Sequence, residues 1–209
     1  MSFGKHFHIL WIAVLALFFS SVCFSHEGHK DDDIILKKLG YLGEVEFAIS
    51  CPKDQQVAIN SGVALLHHMM YAQAEVFFQE WINKSPQCAM FYWGYAMSLF
   101  HPLWPDKITP EALERGVNAL NIAATLPRSP REKGYIEAAA AYFTNWQNTT
   151  DKKRVAAWAK AQRQLYQRFP NDIDAQAFYA LSELSTASKK DNTFRVWAFY
   201  CFQKWYKKS

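Results

Sequence analysis

The chain has 209 residues, 50% of them hydrophobic, which is enough length and apolar content for one domain with a sizeable core. Its 8 Trp, 10 Tyr and 16 Phe exclude an intrinsically disordered chain. The formal net charge of +4 is dispersed, with an acidic cluster at Asp31–Asp33 and lysines at Lys204, Lys207 and Lys208, so no basic stripe points to nucleic acid as a partner.

Residues 1–25 read as an export signal. Lys5 supplies the positive region, Ile9 to Phe19 the apolar run, and Ser20, Ser21, Cys23 and Ser25 the small residues for cleavage after Ser25. The run is short for a membrane span and polar residues follow at once. An extracytoplasmic protein, periplasmic or secreted, is therefore expected, with no stable membrane insertion after cleavage. A lipid anchor through Cys23 would need a small residue where Val22 stands. Residues 26–44 read as a flexible polar leader and the start of an extended arm. From Tyr41 to Ile49 the side chains alternate, with Val45, Phe47 and Ile49 on one side and Glu44, Glu46 and Ala48 on the other. That is a strand pattern with no sheet to join, so it is expected to lie as an extended arm on the first helical hairpin.

Residues 45–209 read as an all-α domain. The first helix runs from Pro52 to about Met69, and the second from about Ala72 to Lys84 with Ala74, Phe77, Phe78 and Trp81 on one face. A third covers Ala89 to Phe100 before His101-Pro-Leu-Trp-Pro105 breaks the pattern. Thr109-Pro110 opens a helix with a small-residue face of Gly116, Ala119 and Ala123, ending before Pro127. Ser129-Pro-Arg-Glu132 is a capping box, and its helix carries Tyr135, Ala138, Ala139, Tyr142 and Trp146 at helical spacing. Asn148-Thr149-Thr150 is a turn and formally a glycosylation sequon. A helix over 152–169 stops at Pro170, and Asn171 or Asp172 caps the next, which runs to about Ser185. After a polar break, a last helix from Thr193 to Lys207 is apolar nearly all round.

Between Cys51 and His101 the sequence nearly repeats itself at a spacing of 34 residues: Pro52 returns as Pro86, Gly62 as Ala96, Leu65 as Leu99 and His67 as His101. With Gly62-x2-Leu65, Ala74-x3-Phe78 and Pro86, this resembles the tetratricopeptide (TPR) helical hairpin. The block CAMFYWGYAMSLFHPLW, residues 88–104, resembles secreted TPR-repeat proteins in particular. The clearest repeats are about 52–86 and 87–127. Ala58 and Ser61 stand where the family has Trp and Leu, and the second repeat lacks its own Ala-x3-Phe.

The resemblance implies an α-solenoid of stacked antiparallel helix pairs that binds a protein or peptide partner in a concave groove lined by the first helix of each pair. Carried over residue by residue, the groove positions are Asn60, Val63 and His67 in the first repeat and Trp93, Met97 and His101 in the second. Trp93 and Met97 read equally well as core, and both histidines as residues that finish their helices. In a stack, His67 and His101 would lie one helix spacing apart, about 8–10 Å between axes, with Trp93 on the same face as His101. The resemblance also makes the two helix starts neighbours, which implies a Cys51–Cys88 disulfide, allowed by export, with Cys201 free. A solenoid normally closes on a helix with a polar outer face, so the apolar last helix is expected either to cap by packing its aromatics differently, to meet a second subunit, or to mark a truncated or divergent member, the reading favoured here.

No Gly-x-Ser-x-Gly, phosphate-cradling glycine loop, Cys-x-x-Cys or His-Glu-x-x-His occurs, so neither catalysis nor a cofactor is expected. Copper handling is the rival to a binding scaffold. Cleavage after Ser25 would leave His26 with a free amine near His29, and His67, His68, Met69 and Met70 form a run of imidazole and thioether ligands. A helix, however, cannot point four consecutive side chains at one ion.

Overall fold

The structure is a computed structural model that describes residues 42–104 and 107–187. The expected export signal, most of the leader with His26 and His29, and the last helix with Cys201 lie outside the described residues.

Local signals set most helix ends. After Pro52 a 3-10 turn over Lys53–Gln55 runs into α1, Gln56–His67. Helix α2 spans Tyr71–Lys84, α3 Ala89–Leu99 and α4 Pro110–Thr125. Helix α5 spans Pro130–Phe143, α6 Asp151–Arg168 and α7 Ile173–Thr186. The Thr109 hydroxyl accepts from Ala112 N–H at 3.2 Å ahead of α4, and Asp172 accepts from Ala175 N–H at 3.2 Å ahead of α7. Ser129 and Glu132 form the full capping box that opens α5. The described residues are thus all-helical, with seven α-helices and no strand.

Two helices end sooner than their side-chain periodicity implies. Helix α1 stops at His67 because Met69 turns left-handed, with φ 57°. Met69 and Met70 N–H then bond back to the Leu66 and Leu65 carbonyls at 3.0 and 2.9 Å, a Schellman closure with Met in the place glycine usually takes. Helix α5 stops before Trp146, since Asn145 also turns left-handed, with φ 56°, into a 3-10 turn over Trp146–Asn148. Asparagine tolerates that conformation better than most side chains.

Each helix packs on its successor, and α1–α3 and α3–α5 also touch. The odd-numbered helices therefore form one layer and the even-numbered ones the layer behind it. Helix α3 is central, and every one of its residues is buried. Phe78 of α2 wedges between the layers, its ring filling the space that a Cβ would need at both Gly62 of α1 and Gly94 of α3. The close approach thus uses Gly94, where the repeat pattern points to Ala96. Cys51 and Cys88 are disulfide-bonded with Cα atoms 5.5 Å apart, tying the start of the first helix pair to the N-cap of α3. Closing a loop of this length stabilises by about 4 kcal/mol on the chain-entropy view.

The Phe78 wedge predicts a specific coupling. Gly94→Ala lowers the unfolding free energy by about 1–3 kcal/mol through overpacking against the ring. Combining it with Phe78→Leu, which trims that ring, gives a loss smaller than the sum of the two single losses. Urea denaturation of the four chains checks this, and additive losses would refute the wedge.

Candidate functional site

Residues 42–50 run extended, without a strand partner, across the face built by α1, α3 and α5. Their alternation holds in three dimensions. Phe47 is fully buried, Val45 and Ile49 are half-buried, and Glu44, Glu46 and Ala48 are exposed. The arm reaches further than the first hairpin, because its anchors come from helices as distant in sequence as α5.

Side chains read the arm through its main chain. Phe47 N–H donates to Asn60 Oδ1 at 3.0 Å, while Gln56 Nε2 donates to the Phe47 carbonyl at 2.8 Å. Gln56 Nε2 also donates to Asn60 Oδ1 at 2.8 Å, which locks the two amides, one helical turn apart on α1, into one clamp. Ile49 N–H donates to Gln56 Oε1 at 3.3 Å, and Arg131 Nη1 donates to the Ala48 carbonyl at 2.8 Å. Ser50 donates its N–H to Glu132 Oε1 at 2.8 Å and its hydroxyl to Glu132 Oε2. Near the other end, His68 Nε2 donates to the Leu42 carbonyl at 2.8 Å.

One side chain of the arm is selected by shape. The Phe47 ring stacks on Trp93 with centroids 5.1 Å apart, and Tyr135 meets it edge-on at 4.9 Å. The Arg131 guanidinium lies over the same ring, 4.4 Å from its centroid. Phe178 of α7 meets Trp93 edge-on at 5.6 Å, which brings α7 into the floor of the seat.

Arg131 is itself held by a fork. Its Nε and Nη2 donate to the two oxygens of Asp172 at 2.6 and 3.1 Å, and Tyr135 OH donates to the same carboxylate at 3.0 Å. Burial pushes the guanidinium pKa down, but the Asp172 hydrogen bond and the nearby negative charge outweigh it, so the value is raised and the charge is permanent. Burial likewise drives the Tyr135 phenol far above its ordinary range, so this hydroxyl stays a donor. The cluster is a fixed cation with its counter-ion, suited to holding polar main chain against an aromatic seat.

Of the six groove positions expected from sequence, Asn60 and Trp93 contact the arm directly, by a hydrogen bond and by a stacked ring. Val63, Trp93 and Met97 are buried while the arm is seated. His67 Nε2 donates to Asp174 at 2.9 Å and its ring stacks on Phe178 at 4.9 Å, so it faces α7. His101 instead stacks on Tyr71 of α2 at 4.7 Å, and its Nε2 donates to the Ser98 carbonyl at 3.2 Å. The two histidines thus have separate partners and do not share an aromatic platform. His67 and His68 also diverge, to Asp174 and to Leu42, and no group of three or more His, Cys, Asp or Glu among the described residues is placed to hold a metal ion. Sequence reasoning did not single out Gln56, Arg131 and Phe178 for the site, and it read Asp172 only as a candidate helix cap. No local spacing links them to residues 42–50, and Glu132 was legible only as a helix cap.

No protein-family model, curated protein or solved structure matches the chain.

Arg131→Ala is predicted to lower the unfolding free energy by about 2–3 kcal/mol, because it strands Asp172, whose side chain is 9% exposed. That is below the about 3–5 kcal/mol typical of a fully buried pair, since Arg131 keeps 20% exposure. Arg131→Lys recovers less than half of the loss, lacking the planar fork. Denaturant titration of the three chains measures both effects.

Proposed function

We propose that the protein is an extracytoplasmic, TPR-like scaffold that binds a protein or peptide partner through a groove lined by α1, α3, α5 and α7, and that it is not an enzyme. The observation that carries this reading is that the face already holds an extended segment by its main chain, through Asn60, Gln56 and Arg131, with one aromatic anchor on Trp93. Extended peptides are commonly recognised in this way, with backbone bonds supplying affinity and a pocket for one side chain supplying selectivity.

Supporting the TPR-like architecture, each helix packs on its successor, α1 also packs on α3 and α3 on α5, as stacked pairs do, and the Phe78 wedge occupies the close approach at Gly62 that the repeat pattern calls for. The Cys51–Cys88 disulfide fits an oxidising compartment, in keeping with the export signal read in residues 1–25. Among the described residues no helix is long and apolar enough to cross a membrane. Recognition of this kind calls for no cofactor.

Affinity recovery of the tagged protein from its native compartment, with mass spectrometry and metal analysis of the same sample, tests the proposal. A stoichiometric protein partner without copper is the expected result. Copper at about one per chain, lost on His26→Ala with His29→Ala, would overturn it in favour of metal handling.

A further inference from the structure

We propose that residues 42–48 are a tethered pseudo-ligand, and that the seat of Phe47 accepts an extended peptide segment with an aromatic side chain when this arm lifts. The proposal rests on the scaffold reading above and names both the ligand class and the gate of that groove.

The nature of the contacts supports a replaceable occupant. The hydrogen bonds that Asn60, Gln56 and Arg131 make to Phe47 and Ala48 go to backbone atoms alone, groups that every peptide carries. Selectivity lies in the single ring position, walled by Trp93 and Tyr135 and covered by the Arg131 cation, which favours an aromatic ring over an aliphatic chain. Glu46 and Ala48, on either side of Phe47, are exposed, so a competing segment is open to other side chains at those two positions.

The tether limits what can move. Cys51 is covalently joined to Cys88, and Ser50 is doubly bound to Glu132, whose carboxylate is also held by the Ser129 N–H at 2.6 Å. The lifting part is therefore residues 42–48, swinging from a fixed exit at Ile49 and Ser50. A tethered competitor acts at high effective concentration, so a free peptide binds weakly until the arm is weakened. Apparent affinity then rises as the fraction of chains with an open seat rises.

The test uses the full chain, its Phe47→Ala variant and its Phe47→Leu variant. The probe is a fluorescein-labelled peptide of residues 42–50, Leu-Gly-Glu-Val-Glu-Phe-Ala-Ile-Ser, followed by anisotropy. The expected result is binding to Phe47→Ala at least about tenfold tighter than to the unsubstituted chain, with Phe47→Leu between them. A peptide with alanine at the Phe47 position should bind Phe47→Ala at least about tenfold more weakly than the parent peptide. Should Phe47→Ala lose its cooperative melt, Phe47→Leu, which keeps an apolar filler, decides by the same comparison. Equal binding to all three chains would overturn the gate while sparing the scaffold reading. Binding to none of the folded chains would overturn the pseudo-ligand itself, and partner recovery from the native compartment would still judge the scaffold reading independently.

Discussion

The inner face depends on covering Trp93. Helix α3 carries this indole toward the layer of odd-numbered helices, with Tyr135 and Phe178 against it, and an aromatic floor of that kind is costly to leave in water. Phe47 covers it, Arg131 covers Phe47, and Asp172 holds Arg131. Because Asp172 is also the N-cap of α7, the same chain of contacts ties the start of the last described helix to a segment some 125 residues earlier in sequence. Removing any member exposes the next.

The disulfide sets the register of this arrangement. Phe47 lies four residues before Cys51, and Trp93 five residues after Cys88, so joining the two cysteines brings both rings into reach of one another. Glu132 fixes the arm's exit from the other side. Its capping-box duty at α5 immobilises the carboxylate, and a carboxylate so placed can take both the N–H and the hydroxyl of Ser50. A purely local helix signal has thereby become a long-range clamp.

Much of the helical framework was legible because its causes are local. Pro110, Pro130 and the Thr109, Ser129 and Asp172 caps act within one turn, and the structure places helix starts where they stand. The early ends of α1 and α5 were not legible, since Met69 and Asn145 adopt left-handed backbone that their side chains do not announce. Over the described residues 42–49 the alternation correctly marked an extended segment, and the buried side of it, but only the fold could show that its neighbours lie on α3 and α5. Helix α3 carried a signal that the groove assignment passed over. A helix apolar on every side is covered on every side, and residues 89–99 have no polar face to leave open. Trp93 and Met97 are therefore floor, and the polar readers of the main chain come from α1 and α5.

Whether the arm is a separable element is measured most directly by native-state hydrogen exchange at the Phe47 and Ile49 amides, which bond to Asn60 and Gln56 at 3.0 and 3.3 Å. A separable arm predicts that the Phe47 amide exchanges through an opening that leaves the Ile49 amide, at the fixed exit, and the amides of α3 protected, with protection at Phe47 lower by a factor on the order of a hundred. Exchange of the Phe47 amide only together with those of α3, in one global unfolding event, would contradict it.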